Sequence, residues 1–506
     1  MSGDMNRRTF LNAAAGTAAF TIVPRHVLGG SGYLAPSDKI TLGYIGLGTQ
    51  GLRELMVMLP DPNIQVVAVC DPNKDSTNYV DWSKDGLVHN IRRFLGKQEW
   101  RANIDGIPGG REVGREIIET YYASQRPNGE YRGCASYADF RELLDKEKDL
   151  DAVKIMTPDH LHATISIAAM KKGKHVVMHK PIANRVSEAR MVIDTARQTK
   201  VSTYFIPWNA RGPMDVVMSW IKDGAIGTLR EVHNWSARPM WPQYLTLPPD
   251  QPPVPEGFDW NLWLGPSLDR PYHPHYTNAV FRGWYEFGGG SICDMGHYSL
   301  WIVFRTLKLG APLTVEANPS FACAITDGVS RRIPNDYSFP LASVIRFRFA
   351  AREDMGPLDL YWYDGSMKPP TPEELYDEDK QLEPEGMMFV GDKGKVLAGF
   401  NIESPRLLPE KLMNHYTSPP PPKRDDEEKN DHLAEWIAAC RGGEPSAGSF
   451  LYAGPISEAF NLAAIACRVP KRLHWDAESM KITNVPDANR LLYREYRKGW
   501  ELSTAS

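Results

Sequence analysis

The chain has 506 residues, 42% of them hydrophobic and 24% charged, which excludes a single small fold and general disorder and fits a globular protein of two or three cored domains. With 58 Lys and Arg against 62 Asp and Glu, the formal net charge of -4 leaves no basic footprint for nucleic acid or an anionic membrane. A small-molecule ligand is expected instead.

Residues 1–35 read as a signal peptide and linker. Arg7 and Arg8 are paired, Phe10 and Leu11 follow, and a short run of small and apolar residues comes next, the order of a twin-arginine export signal. The run is too short to span a bilayer and no lipobox cysteine follows it, so a soluble, exported, periplasmic protein is expected. The six cysteines (Cys70, Cys134, Cys293, Cys323, Cys440, Cys467) show no metal-type spacing, and no metal site is expected.

From residue 36 to 203 the pattern is strand alternating with helix. KITLGYIGLGTQGLRELMVML is a strand, a glycine turn and a helix with Leu52, Leu55, Met56 and Leu59 on one face; IQVVAVCDP is a second buried strand ending in Asp71. Residues 73–132 are polar, with Gly and Pro clusters, and read as a surface insertion with some helix near REVGREIIETYY. The alternation then resumes: helix in YADFRELLDKEKDL, strand in DAVKIMTP, helix in HLHATISIAAMKKG, strand in KHVVMHKP and helix in RVSEARMVIDTARQTK. Repeated units of this kind predict a parallel, doubly wound sheet.

Residues 204–502 have a different texture, rich in Pro and Trp. ASVIRFRFAA and LDLYWYDG read as strands and MMFVGDKGKVLAGF as a hairpin turning at Gly391 to Gly394. A second domain on an antiparallel or mixed sheet follows. SPPPPKRDDEEKN is a proline-charge linker leading into the helices DHLAEWIAACRGG and LYAGPISEAFNLAAIACRV.

Gly46-Leu47-Gly48-Thr49-Gln50-Gly51 is GxGxxG between a strand and a helix. There the glycines permit the tight turn, the close approach of a pyrophosphate and helix packing, and the helix N-terminus supplies N–H donors. Asp71 closes the next strand, where a carboxylate accepts from ribose hydroxyls and repels a 2′-phosphate; NAD is expected over NADP. Thr157 and Pro158 end another strand on the same side. Asp159 is expected to cap the following helix, and His160 and His162 to belong to the cofactor loop.

Together these motifs resemble the Gfo/Idh/MocA family (glucose-fructose oxidoreductase, inositol dehydrogenase, rhizopine catabolism), with a closing segment like that of its exported bacterial branch. The resemblance implies a Rossmann dinucleotide-binding domain, a C-terminal α+β domain with an open, mainly antiparallel sheet, and nicotinamide-dependent chemistry on sugars or cyclitols. The family's Glu-Lys-Pro reads His179-Lys180-Pro181 here; Lys180 matches the catalytic lysine, while His179, near the nicotinamide, stands where glutamate is usual. An ammonium in a partly desolvated pocket can hydrogen-bond the oxygen that becomes a carbonyl. The second marker is Asp294 with either His297 or Tyr298. Tyr298 holds the family's position, and His297 has the more suitable ordinary pKa.

Asn209 is expected at the nicotinamide, and Arg211, Arg238, Trp241, His273, Tyr276, Arg282 and Trp284 at a carbohydrate. The family's open sheet implies a homo-oligomer, dimer or tetramer. Free NAD is not expected outside the cytoplasm, so an exported enzyme would carry it out tightly bound. The readings are an NAD-dependent oxidoreductase acting on a secondary hydroxyl of a sugar, glycoside or cyclitol, an NAD-dependent glycosidase or lyase using transient C3 oxidation, and a non-catalytic NAD-holding sugar-binding protein.

Overall fold

The computed structural model describes residues 38–206, 213–353, 355–378, 380–416 and 431–502. The export segment with Arg7 and Arg8, the linker at 418–430, and Asn209 and Arg211 lie outside the described residues.

The first domain runs β1 (Ile40–Ile45), α1 (Thr49–Met58), β2 (Ile64–Cys70), α2 (Gly86–Leu95), α3 (Arg111–Ser124), β3 (Ala135–Tyr137), α4 (Phe140–Lys146), β4 (Ala152–Ile155), α5 (Asp159–Lys171), β5 (His175–His179), α6 (Val186–Thr199) and β6 (Thr203–Ile206). All six strands are parallel in the order β3-β2-β1-β4-β5-β6. Helices cover both faces, which is why β1, β4 and β5 read as near-continuous apolar runs. The order reverses between β1 and β4, and a crevice opens there beyond the strands' carboxyl ends.

The surface insertion expected over 73–132 is shorter than that. Val113, Ile117 and Ile118 are fully buried, and α3 packs on β2 and β3 as an ordinary crossover helix, so only the stretch before it departs from the repeat. In α2, Leu87, Val88 and Ile91 are buried among polar neighbours, too few apolar positions to show a sustained period.

The second domain begins with α7 (Met214–Lys222) and β7 (Leu229–Trp235), then α8 (Trp260–Leu264), a π-helical turn at Ile292–Gly296 and α9 (His297–Thr306). There follow β8 (Thr314–Pro319), the two-stranded ribbon β9 (Cys323–Thr326) and β10 (Val329–Arg332), β11 (Ser343–Phe349), β12 (Leu358–Tyr363), β13 (Gly386–Gly391), β14 (Lys395–Ala398) and β15 (Arg406–Leu408). The chain closes with α10 (Asp431–Cys440), α11 (Gly454–Arg468), β16 (Leu473–Asp476) and β17 (Lys481–Ile482). Among the described residues nine strands form one sheet, β15-β14-β13-β7-β12-β11-β8-β16-β17; of these only β7 and β12 pair in parallel. The hairpin β13–β14 closes with Gly391 N donating to Gly394 O at 2.9 Å. In β11 alternate residues are buried, the mark of a sheet with one face on the core.

Helix α11 packs against both α6 and β8, so one apolar core continues from the first domain into the second. The last stretch crosses back as well. Arg494 donates to Glu188 Oε1 on α6 at 2.7 Å and to Asn184 Oδ1 at 2.5 Å, and Trp500 lies 6.2 Å from the ring of Phe140. The Arg494 contacts fasten the segment that follows Lys180. Among the described residues no helix is long and apolar enough to cross a membrane.

Candidate active site

The glycine turn is tight for a measurable reason. Gly46 has φ +97, and a Cβ there would lie 2.6 Å from the Met156 carbonyl carbon; on Gly51 it would lie 2.3 Å from Gly46 O. Leu47 is buried, and its N–H donates to Asp71 Oδ2 at 2.7 Å, while Asn73 N–H donates to Asp71 Oδ1 at 2.8 Å. Burial raises Asp71 to about 6 against the pull of these donors and of Arg111, leaving it ionised at neutral pH. Gly48, as N-cap, offers no side chain to the first turn of α1, so the helix N–H groups are free to meet an anion. Thr157 Oγ1 and Asn73 Oδ1 border the same crevice, buried and unsatisfied by any protein group. A glycine cradle, a ribose-type carboxylate and unsatisfied polar atoms together fit a dinucleotide.

The crevice continues without a break from Gly46, Gly48, Thr49, Gly51 and Asp71, past Thr157 and Pro158, to His179 and Lys180, and its volume is about 380 Å³. Strand β5 delivers Lys180 to the sheet edge with 4% exposure. Its Nζ donates to Asp294 Oδ1 at 2.6 Å, and Arg282 Nε donates to the same oxygen at 3.0 Å. Burial alone would raise the Asp294 carboxyl, but Lys180 and Arg282 outweigh it and hold it at about 2. Lys180 Nζ also sits 4.9 Å from the centre of the Tyr298 ring, and the Tyr298 hydroxyl meets His179 Nε2 at 3.1 Å. Burial, then the Lys180 charge, push His179 well below its ordinary value, so it is neutral.

Between His297 and Tyr298 the π turn decides. It holds more than four residues, so the residue four after Asp294 returns to the same side and the residue three after it does not. Tyr298 borders the crevice. His297 does not: it is fully buried, its Nδ1 lies 2.9 Å from Cys293 O, and it packs edge-on against Phe205 and Phe460. Burial lowers it to about 3. The expectation of His297 as a proton-transfer group is corrected on that ground.

Other expected residues divide in the same way. Arg238 and Arg282 border the crevice. Trp241 lines a separate small cavity with Ser291 and Asp364, and Trp284 is buried with its indole N–H on His275 O at 2.7 Å. Tyr276 is buried in the same aromatic cluster as Trp284, and His273 caps a short 3-10 turn, with its Nε2 3.3 Å from Asp250. His273, Tyr276 and Trp284 serve packing, because aromatic side chains that pack on one another have no face left for a ligand, and Trp241 faces a cavity other than the crevice. His162 does not border the crevice either. Its ring nitrogens meet Pro181 O at 2.5 Å and Thr157 O at 2.8 Å, so it ties the β4 turn to the Lys180 turn. His160 is buried against Trp263 and Phe287. Asp159 is not the helix cap. It is the first residue of α5, and its Oδ2 accepts from Gly289 N at 3.0 Å across the domain boundary while bordering the crevice.

Sequence reasoning missed the crevice's roof. Tyr79 and Trp82 come from the segment after β2, Phe258, Tyr272 and Asn278 from the Pro- and Trp-rich loops of the second domain. The two sets are joined: Lys74 N donates to Gly257 O at 2.8 Å, Asp259 N to Pro72 O at 3.0 Å and Asn278 Nδ2 to Asn78 O at 3.2 Å. Arg238 lies over the Trp82 ring at 5.3 Å. The only available signal was aromatic residues in a polar stretch.

Residues 94–205 match the family profile described as "Oxidoreductase family, NAD-binding Rossmann fold", and residues 217–338 the profile "Oxidoreductase family, C-terminal alpha/beta domain". A levoglucosan dehydrogenase of Pseudarthrobacter phenanthrenivorans is 33% identical over 114 residues, 21% of this chain and 29% of that protein. An alpha-N-acetylgalactosaminidase of Shewanella oneidensis is 25% identical over 223 residues, 43% of this chain and 40% of that one. The chain thus spans less than half the length of these curated relatives. A WlbA dehydrogenase from Chromobacterium violaceum, solved with NADH and UDP-GlcNAcA, superposes with a TM-score of 0.51 at 15% identity, over 87% of this chain and 97% of that one, and shares the fold. The chain belongs to the Gfo/Idh/MocA oxidoreductase family, with an NAD-binding Rossmann domain followed by the family's C-terminal α/β domain.

Proposed function

We propose that the protein is an NAD-dependent oxidoreductase acting on a secondary hydroxyl of a sugar, glycoside or cyclitol. The observation that carries this reading is the placement of Lys180, paired with Asp294 at 2.6 Å, in the same continuous crevice as the glycine turn. Bound NAD supplies the hydride acceptor. Gly46, Gly48, Gly51 and the α1 N-terminus take its diphosphate, and Asp71 its adenosine ribose. Asp294, held ionised, takes one N–H of Lys180, and the ammonium's remaining hydrogens are left to meet the substrate oxygen and its surroundings. There they stabilise negative charge that grows as the hydroxyl proton departs. Tyr298 relays that proton, passing its phenolic hydrogen to Nε2 of neutral His179 as it takes the hydroxyl's; this gives His179 a role in place of the usual glutamate.

The bridges between residues 72–78 and 257–278 close the roof over the cofactor, which supports a dinucleotide retained through turnover. Export by the twin-arginine segment belongs to the same proposal, and cell fractionation with Arg7→Lys and Arg8→Lys variants tests it. Assembly into a dimer or tetramer is tested by light scattering. Two observations favour a second reading, an NAD-dependent glycosidase: the similarity to an alpha-N-acetylgalactosaminidase and a second carboxylate, Asp159, in the crevice.

The decisive experiment purifies the full chain, releases and quantifies bound NAD, and adds neutral and acidic sugars and their aryl glycosides. Reduced-nicotinamide absorbance and aglycone release are followed together. Absorbance change without cleavage supports the oxidoreductase; cleavage without net reduction supports the glycosidase. No bound NAD and neither signal refutes both.

A further inference from the structure

The reacting end of the crevice is not electrically balanced. Among the described residues its cations are Lys180, Arg238 and Arg282, and its carboxylates are Asp159 and Asp294. Lys180 and Arg282 are both committed to Asp294. Asp159 takes a backbone N–H from Gly289. Among the described residues no carboxylate pairs with the guanidinium of Arg238, although that charge is close enough to help hold Asp294 down.

What Arg238 touches instead is a ring. Its Cζ lies 5.3 Å from the centre of the Trp82 indole, which is 55% exposed and comes from the opposite domain. A guanidinium held over an aromatic ring by cation–π attraction spends none of its N–H donors on the ring, which leaves the fork that matches a planar oxyanion for a ligand. Backbone contacts fix the base of the side chain, since Gly365 N donates to Arg238 O at 2.5 Å and Arg238 N to Ser236 Oγ at 3.2 Å. A solvated surface arginine would need none of this, and would not border the crevice within the field of Asp294.

We propose that Arg238, held over the Trp82 ring, receives a carboxylate of the substrate, so that the sugar is a uronic acid or its glycoside rather than a neutral sugar. The inference rests on the oxidoreductase reading and names its substrate class. One unmatched positive charge is balanced by one carboxylate, whereas a phosphate ester would leave an excess of negative charge beside Asp294 and Asp159. The carboxylate at one end of the ring and Lys180 at the other would fix which hydroxyl is presented.

The test uses the full chain with its NAD bound. Methyl glucopyranoside and methyl galactopyranoside are compared with the corresponding methyl uronosides and with glucose 6-phosphate. Binding is read by calorimetry and by Trp82-dependent fluorescence, and nicotinamide reduction is read on the same samples. A charge-assisted bidentate contact predicts that each uronoside binds on the order of ten-fold or more tightly than its neutral twin, less so at high salt. Arg238→Gln should bring that ratio close to one with NAD content unchanged, and Arg238→Lys should restore only part of it.

The proposal is overturned by equal or weaker uronoside binding in the wild type, by a preference that survives Arg238→Gln, by tighter binding of glucose 6-phosphate, or by loss of NAD instead of selectivity in Arg238→Gln. An Arg238-dependent preference without nicotinamide reduction would keep the carboxylate site and sink the oxidoreductase reading. Reduction by neutral sugars at least as good as by uronosides would do the reverse.

Discussion

Replacing Arg494 by Met should destabilise the protein severely, although the residue lies far along the chain from either glycine turn or lysine. Its guanidinium is fully buried and donates to Glu188 Oε1 at 2.7 Å, Glu286 Oε1 at 3.0 Å, Ser267 Oγ at 3.2 Å and Asn184 Oδ1 at 2.5 Å. Glu188 is itself 1% exposed, and its second oxygen already has no partner among the described residues. Without the arginine the carboxylate keeps only the Tyr496 hydroxyl at 3.0 Å. Removing one member of such a buried pair costs about 3–5 kcal/mol, because an uncompensated charge remains. At about 1 °C per kcal/mol for a chain this long, the melting temperature should fall by about 3–5 °C. The assay is thermal unfolding at one scan rate, since a chain of this size need not unfold reversibly. The double variant Arg494→Met/Glu188→Leu should recover most of the loss, because two apolar side chains leave no charge stranded. A single-variant loss under about 1 kcal/mol, or a double variant as unstable as the single, would refute the account.

Three further outcomes follow from the site. Tyr298→Phe should lower turnover by about 10²-fold or more with sugar binding retained, whereas His297→Leu, which removes packing and the contact with Cys293 O but nothing that borders the crevice, should leave turnover nearly intact; a large loss in His297→Leu would reverse the assignment. Asp159 is raised to about 6 by burial, despite Arg282 and Lys180. Its folded pKa lies above the unfolded one, so its contribution is full below about pH 4 and lost as pH rises through about 6, roughly 3 kcal/mol in all. Asp159→Asn keeps the acceptor for Gly289 N–H without ionising; its melting temperature should match the wild type at low pH and exceed it above pH about 6, and a variant that is less stable at neutral pH would count against this. Gly51→Ala puts a Cβ 2.3 Å from Gly46 O, where backbone must move, so released NAD per chain should fall sharply; full occupancy would contradict the cradle.

Most of the cofactor half was legible, and for one reason. In a parallel doubly wound sheet every strand's carboxyl end faces the same crevice, so Gly46, Asp71, Thr157, Pro158 and Lys180 could be placed by finding strand ends alone. The second domain was legible as a class only: the alternation in β11 announces a half-buried strand, but β7, lying centrally between β13 and β12, carries too weak a pattern to be seen. Among the aromatics, composition could not separate Trp82, whose ring lies under Arg238, from Trp284, which packs in a core cluster. Both are tryptophans in Pro- or Gly-rich polar stretches, and only neighbours distant in sequence distinguish them.

Local chemistry by itself therefore determined the Rossmann repeat, the preference for NAD and the lysine at the tip of β5, because each depends on residues adjacent in sequence or on a rule of sheet topology. Tertiary structure decided the rest. The π turn aims Tyr298 rather than His297 at Lys180, Asp159 reaches across to Gly289 instead of capping its own helix, and Arg238 meets Trp82 from the other domain. Each of these depends on how two distant segments are oriented in space, and a side chain's neighbours across a domain boundary leave no periodic trace in the chain that carries it.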